Sequence, residues 1–174
     1  MGKIRLGGRF QLKFHEYHSA PPPWGREDLL RLHEELGGTF PIATTPRRTD
    51  VPRIDPLWYN LADGIRAGDA ACVELGVRFI EAQFVVSYSG YARARLARAL
   101  RHAFLTPTQK RRLSNHFYNL LIGQERFDEF TEYIRVWRAI ADDAERTRVR
   151  TFVEQNLPES SAFRTRLLRV FEGV

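Results

Sequence analysis

Apolar and polar residues divide the chain into an N-terminal part with strand-like alternation and a longer part with helical spacing. Between residues 3 and 15 the apolar side chains fall on even positions and the polar ones on odd positions, which is the period of a half-buried strand. A two-residue turn at Gly7-Gly8 would set apolar residues opposite polar ones, so we expect one kinked strand or a turn of another length. Such a strand needs a partner, either residues 39–44 or another chain.

Residues 19–56 combine a proline-rich segment, one short helix and a linker. Three consecutive prolines precede Trp24, which is typical of polyproline II, and we expect Trp24 to pack onto the domain. Leucine spacing predicts a helix over 26–36, ended by Gly37-Gly38. The prolines of residues 39–56 indicate an extended linker. We therefore divide the chain into an arm over 1–54 and a helical domain over 55–174.

The helical domain has apolar residues at helical spacing almost throughout. Its starts are marked by Asp55-Pro56, by a capping box from Thr106 to Gln109 and by Asp142-Asp143. The predicted helices lie near 55–67, 69–83, 89–103, 107–123, 127–140, 142–156 and 160–172.

Short connections give the predicted fold class. The connections have two to six residues, so consecutive helices should pack as antiparallel hairpins. The fourth helix shows a single apolar face made of Leu113, Phe117, Leu120 and Leu121. We predict a mainly α fold: an antiparallel, solenoid-like α-hairpin array of about seven helices with a small N-terminal extended or β arm.

The helical domain also resembles itself. Residues 89–98 and 160–169 share the pattern S-x3-R-x-R-L-x-R, while 58–61 competes with a match to 117–120. The two offsets do not fit one simple duplication, so the repeat register stays open.

Two stretches, 58–80 and 117–140, resemble tetratricopeptide-type repeats. The likeness is carried by Trp58 with Leu61, and by Tyr118-Asn119-Leu120 followed by Phe127-Asp128-Glu129-Phe130. Leu121 departs from the pattern, which has a small residue there. The resemblance implies an α-solenoid that binds peptides or assembles complexes. An irregular helical bundle is the alternative.

Charge is distributed unevenly along the chain. Of 27 basic residues only Lys3, Lys13 and Lys110 are lysines, which leaves 24 arginines, and no acidic residue lies between Glu81 and Glu125. Arginine bias is typical of a GC-rich bacterial genome, and forked guanidinium donors also suit phosphate and carboxylate.

A helical wheel of 89–103 places five apolar residues on one side, and four arginines spread over the opposite arc. The apolar residues are Ala92, Leu96, Ala99, Leu100 and Ala103. The last helix repeats this arrangement. We therefore predict a basic binding surface made of Arg93, Arg95, Arg98, Arg101, Lys110, Arg111, Arg112, Arg164, Arg166 and Arg169.

Three interpretations of the predicted surface stay open. It suits an acidic protein or peptide segment. It also suits nucleic acid, for which nearby Tyr88, Tyr91, Tyr118 and His116 could stack on bases. The third interpretation is a solvated face paired with acids such as Glu81, Glu125 and Asp128.

A search for catalytic, metal-binding and cofactor motifs finds none that fits. His15-Glu16-Tyr17-His18 lacks the H-E-x-x-H spacing of zinc sites, and no phosphate-binding loop occurs. Cys72 falls on an apolar helix side, so we expect a core residue. A single cysteine favours a reducing, cytoplasmic location. No run reaches the roughly 18 apolar residues of a membrane span.

We therefore expect a non-catalytic binding or scaffold protein without metal or cofactor. A nucleic-acid-binding protein is the first alternative. A structural subunit that forms homo-oligomers through its N-terminal strand is the second, and an enzyme stays open.

Overall fold

The computed structural model describes residues 22–43, 56–85, 89–123 and 129–171. Within these ranges the chain forms helices and no strand. The predicted strand over 3–15, the quartet 15–18, Asp55 and Tyr88 lie outside the described residues. The helices are α1 (Arg26–Glu35), α2 (Pro56–Arg66), α3 (Ala70–Ala82), α4 (Ser89–Leu100), α5 (Pro107–Ile122), α6 (Phe130–Ile140), α7 (Asp143–Asn156) and α8 (Ala162–Phe171).

The predicted helix boundaries agree with the structure to within three residues. The predicted capping box is confirmed, since Thr106 accepts from the Gln109 backbone N–H at 3.2 Å. The helix start predicted at Asp142 is also confirmed, and it proves to be a second capping box, in which Asp142 accepts from the Glu145 backbone N–H at 2.8 Å. The largest difference at a helix end is in α4, which ends at Leu100 rather than at residue 103. There the backbone tightens into i→i−3 hydrogen bonds, from His102 to Ala99 and from Ala103 to Leu100.

Residues 39–43 do not form the strand that the sequence left open as a partner for the arm. They form a turn instead, in which the Ile42 amide donates to the Phe40 carbonyl. The Asn60 side chain of α2 donates to the Ile42 carbonyl. The turn is therefore fixed against the helices rather than offered as a sheet edge.

Helices that are two apart in the sequence lie side by side. This holds for α1/α3, α2/α4, α3/α5, α4/α6, α5/α7 and α6/α8. Among consecutive helices, α2/α3, α3/α4, α5/α6 and α7/α8 also lie close together, whereas α1/α2, α4/α5 and α6/α7 are not among the close pairs in the described ranges. The expectation that every consecutive pair forms a hairpin is therefore met only in part.

Side-chain contacts give the direction of α6 relative to α5. Phe117 of α5 stacks on Tyr133 of α6 with ring centroids 4.9 Å apart. Three residues earlier in α5, Ser114 accepts a hydrogen bond from Trp137, four residues later in α6. The two helices are therefore antiparallel.

The same reasoning shows that α3 and α5 are parallel. Gln109 at the start of α5 donates to Glu74 in the first half of α3. His116, further along α5, is hydrogen-bonded to Gln83 directly after α3. Residue numbers increase together along the two helices.

Helix α4 is antiparallel to α3. At one end Ser89 donates to the Phe84 carbonyl across the connection. At the other end, a Cβ built on Gly76 would lie 3.7 Å from Leu100 and 2.7 Å from Ile65, so glycine allows the close approach of three helices. Because α4 opposes α3, α5 parallels α3 and α6 opposes α5, α4 and α6 run parallel.

One hydrophobic core extends through these helices. The predicted face of α5 is confirmed, since Leu113, Phe117, Leu120 and Leu121 are all buried. Trp24 is also buried, as expected, and its ring packs edge-on to Phe79 at 5.1 Å. Complete burial of one such side chain stabilises the fold by about 1.5–3 kcal/mol.

Asp69 joins the N-terminal helix to the helices that follow. One carboxylate oxygen accepts from the Cys72 backbone N–H at 2.7 Å and from His33 Nε2 at 3.3 Å. The other accepts from the backbone N–H groups of Thr39 at 2.7 Å and Phe40 at 2.9 Å. Burial raises the pKa of Asp69, but the backbone hydrogen bonds outweigh burial and hold this pKa well below its ordinary value.

Two glycines make room for the side chains around Asp69. A Cβ on Gly38 would lie 2.2 Å from the His33 ring, and one on Gly64 would lie 2.3 Å from Cys72 Sγ. A larger residue at either position would displace His33 or Cys72, which surround Asp69.

We expect Asp69→Asn to destabilise the protein by about 3 kcal/mol at pH 7, because an amide donor would face two backbone donors. The folded-state pKa of Asp69 is lowered, so its ionisation stabilises the fold fully above the unfolded pKa near 4, and this stabilisation declines as pH falls further. The difference between wild type and variant should therefore shrink below about pH 4. Urea unfolding at pH 7, 5 and 3 measures it.

Asp142→Asn is the matched control, since asparagine is also a good N-cap and this cap is exposed. Its effect should stay below about 1 kcal/mol. Equal costs for the two variants, or a difference that does not change with pH, would contradict the role given to Asp69.

Candidate binding surface

Arg93 is not on the surface predicted for it. Its guanidinium pairs with Glu129, donates to the Phe84 carbonyl at 2.6 Å and has a side chain that is only 3% exposed. The helical-wheel placement of Arg93 on the outer arc is wrong, because the apolar side of α4 is wider than the sequence suggested. Positions 93, 96, 97 and 100 form one row, and this whole row is buried.

Arg112 and Arg164 also act within the fold. Arg112 donates to Glu74 at 2.8 Å and to Glu81 at 3.0 Å, and so joins α5 to α3. Hydrogen bonds to Glu81 and Glu74 raise its pKa further above the ordinary value. Arg164 donates to the backbone carbonyls of Glu154 and Leu157, and thereby caps the end of α7.

Arg95 lies at the border between structure and surface. It donates to both carboxylate oxygens of Asp63, at 3.0 and 3.3 Å, and its guanidinium lies 5.3 Å from the centre of the Tyr59 ring. About a third of the side chain remains exposed. Arg95 therefore links α4 to α2 on the solvent side of both helices.

The other six predicted residues are exposed and make no ion pair in the described ranges. Arg98 donates to the Ala94 carbonyl of its own helix, and Arg166 donates to Thr131 Oγ1 of α6 at 3.0 Å. Lys110 and Arg111 lie on α5, apart from the rest. The six are Arg98, Arg101, Lys110, Arg111, Arg166 and Arg169.

Three further arginines join this surface that sequence reasoning missed: Arg66, Arg135 and Arg138. All three are exposed, on α2 and α6. Because α2, α4, α6 and α8 lie side by side in this order, their outward arginines, together with Arg101 directly after α4, form one surface, which we name the arginine face. It consists of Arg66, Arg95, Arg98, Arg101, Arg135, Arg138, Arg166 and Arg169.

A shared spacing could have revealed two of the missed residues, Arg135 and Arg138. The sequence R-x-x-R occurs at 95–98, 98–101, 135–138 and 166–169. Residues i and i+3 lie on the same side of a helix. Between the arginines stand residues that face the core, among them the buried Leu100, Trp137 and Leu167.

Acidic residues do little to neutralise the arginine face. The described parts of α2, α4, α6 and α8 contain two, Asp63 and Glu132. Asp63 pairs with Arg66 and Arg95, and Glu132 pairs with Arg135 at 2.8 Å. At the end of the face, Glu159 lines an open groove together with Arg169. The face therefore carries a large excess of positive charge.

Few aromatic side chains are available for base stacking. His116 is half-buried and hydrogen-bonded to Gln83, and burial lowers its pKa. The Tyr118 ring is covered by Arg148, whose guanidinium lies 3.6 Å from the ring centre. Tyr91 on α4 and Phe104 in the connection after α4, by contrast, are 68% and 92% exposed.

A second cluster combines His33, Asp69 and Cys72, with one ligand-type atom of each within 4.8 Å of the others. These residue types suit zinc or a cysteine nucleophile. However, both oxygens of Asp69 already accept two hydrogen bonds each. Burial, followed by the charge of Asp69, raises the pKa of the Cys72 thiol far above its ordinary value. Cys72 is fully buried, as predicted, and the cluster serves to anchor α1.

Comparison with protein-family models, with curated proteins and with solved structures found no match to this chain. None of the described helices has the length and apolar character needed to cross a membrane.

Two arginines of α4 should respond differently to substitution. We expect Arg93→Met to lower the free energy of unfolding by about 3–5 kcal/mol, because Glu129 would be left as an unpaired buried charge. The matched variant Arg98→Met should change it by less than about 0.5 kcal/mol, since Arg98 is exposed. Urea unfolding followed by circular dichroism measures both. Similar values for the two variants would contradict the division into structural and surface arginines.

Proposed function

We propose that this chain is a non-catalytic binding protein that holds an acidic segment of a partner protein on the arginine face. The observation that carries the proposal is the charge of four neighbouring helices. Their outer side presents eight arginines, and the acids of these helices are Asp63 and Glu132, both already paired. A surface with such an excess of positive charge attracts anions and raises their local concentration.

Guanidinium groups give such a surface a preference for carboxylates. Arginine presents its N–H donors in a planar fork that matches the two oxygens of a carboxylate. A single exposed ion pair contributes only about 0.2–1 kcal/mol. Useful affinity therefore requires several pairs at once, which eight arginines on one surface allow.

The proposal includes an architecture of helical hairpins that resembles tetratricopeptide arrays. Close contacts between helices two apart, with α4 parallel to α6, support it. In such an array the alternate helices α2, α4, α6 and α8 form one layer, and the arginine face is the outer side of this layer.

Nucleic acid is the second candidate partner, and Tyr91 favours it. This exposed ring lies on α4, two turns before Arg98, where a base could stack beside phosphate-binding arginines. Binding would then weaken steeply with salt, because each neutralised phosphate releases counterions.

The proposal predicts that a labelled 12-residue glutamate peptide binds at about 50 mM salt and that Arg98→Ala/Arg166→Ala/Arg169→Ala weakens binding at least tenfold. Three lost pairs of about 0.5 kcal/mol each amount to about one factor of ten. Fluorescence anisotropy measures the affinity, and circular dichroism checks the fold.

The matched control is Arg31→Ala/Lys110→Ala/Arg111→Ala, which removes the same charge from exposed positions on α1 and α5. It should weaken binding less than twofold. Equal losses in the two triple variants would mean that net charge, rather than the arginine face, attracts the peptide. Binding of a 12-nucleotide RNA or DNA without binding of the peptide would favour the nucleic-acid function.

A further inference from the structure

The arginines of the arginine face form rows that run across the helices. The alignment of α4 with α6 places the first two members of one such row at the same level. These helices are parallel, and Arg93 of α4 pairs with Glu129 at the start of α6. Arg98 lies five residues beyond Arg93, and Arg135 lies six residues beyond Glu129. With a rise of about 1.5 Å per residue, Arg98 and Arg135 stand at nearly the same level.

The contacts of α8 continue the row. Phe130 of α6 packs against Phe163 of α8 with ring centroids 5.6 Å apart, and the next residue, Thr131, accepts from Arg166. Helix α7 runs back along α6, since Arg146 lies at the end of α6 whereas Phe152 packs on Tyr118, next to the Phe117 that stacks on Tyr133. Helix α8 opposes α7, since Arg164 reaches Leu157 while Leu167 lines a cavity with Val149. Helices α6 and α8 are therefore parallel, with residue offsets of 33 and 35. The level of Arg135 therefore corresponds to residues 168–170 of α8, where Arg169 lies.

The resulting row consists of Arg98, Arg135 and Arg169 and is named the central row. Packed helices lie about 8–10 Å apart, so the central row spans roughly 16–20 Å across α4, α6 and α8. Along any one helix the exposed arginines extend over a shorter distance, since an i to i+3 step is about 4.5 Å. A ligand that crosses the helices therefore meets more separate cations than one that lies along a single helix.

We propose that the acidic segment of the partner binds as an extended chain that crosses α4, α6 and α8 along the central row, with carboxylates at about every third residue. This inference rests on the proposed function. In the extended polyproline II conformation a chain advances about 3.1 Å per residue with three residues per turn, so residues three apart point to the same side and cover one helix-to-helix step, and about seven residues span the row. Each carboxylate then meets one guanidinium, and at Arg135 it meets the N–H groups other than the one that Nη1 donates to Glu132.

An extended polypeptide fits the central row better than a nucleic acid does. Binding of single strands combines phosphate contacts with several stacked bases. In the described residues near the arginine face, Tyr91 and Phe104 are the strongly exposed aromatic residues, and they lie seven residues before and six residues after Arg98, so neither stands beside the row. Beside the row itself stand arginines and small residues such as Ala94 and Ala139.

The test compares two labelled 12-residue peptides that each contain three glutamates in a neutral glycine–serine frame. In the spaced peptide the glutamates stand three residues apart, and in the clustered peptide they are adjacent. We expect the spaced peptide to bind the full chain at least fivefold more tightly at about 50 mM salt, because it alone reaches all three helices.

Two triple variants distinguish the central row from the rest of the arginine face. Arg98→Ala/Arg135→Ala/Arg169→Ala should reduce the ratio of the two affinities to about one. The control Arg66→Ala/Arg101→Ala/Arg138→Ala removes three arginines of the same face outside the row and should keep the ratio. The ratio is measured within each protein, so partial loss of stability does not imitate the result.

Each outcome has a separate meaning. If neither acidic peptide binds, the proposed function fails, and the inference fails with it. If both peptides bind equally to the unaltered chain, or if the control triple also removes the preference, the inference is wrong and the proposed function stands. Tight binding of RNA under the same conditions, with weak binding of both peptides, would replace the polypeptide with a nucleic acid.

Discussion

A guanidinium buried in an apolar core requires a carboxylate beside it, and in this protein Arg93 and Glu129 meet that requirement for each other. Their side chains are 3% and 4% exposed, and Arg93 comes from α4 whereas Glu129 directly precedes α6. Gly90 stands directly against Glu129, where a Cβ would lie 3.2 Å from the carboxylate. Any slip of α4 along α6 would separate two buried charges, which costs far more than a slip between apolar surfaces. The pair therefore fixes the level of every exposed side chain on α4 relative to α6.

This constraint explains how the acids of the chain are used. Between Glu81 and Glu125 the sequence has no acidic residue. The two structural arginines of this window pair with acids that lie at or beyond its limits in the sequence. Arg93 pairs with Glu129, and Arg112 pairs with Glu74 and Glu81. The acids at these positions form ion pairs in the core and between helices. The outer side of α4 keeps its arginines with Asp63 as their acidic neighbour.

Much of the helical fold could be predicted from sequence, because helix starts depend on local chemistry. The capping boxes at Thr106 and Asp142 and the apolar face of α5 involve residues within a few turns of one another. The role of Arg93 could not be predicted in this way. Its partner Glu129 lies 36 residues away in the sequence. A helical wheel counts arginine as a surface residue because it contains no information about a carboxylate from another helix. Asp69 is a similar case: its position before α3 predicts a cap, but its bonds to His33, Thr39 and Phe40 come from 29 to 36 residues away.

The candidate surface shows the same division between local and distant information. Arg98, Arg101, Arg166 and Arg169 were found because charge stands out along a single helix. Arg66, Arg135 and Arg138 were missed because each lies on a helix that also carries acids, so its local charge is unremarkable. Their common role emerges only when α2, α4, α6 and α8 lie side by side. Each arginine of a surface assembled from four helices would contribute one weak ion pair to a bound partner. The affinity for the partner therefore depends on the spacing between the helices. That spacing is set by the core and by the buried pair of Arg93 and Glu129, and the affinity of the arginine face is therefore coupled to the packing beneath it.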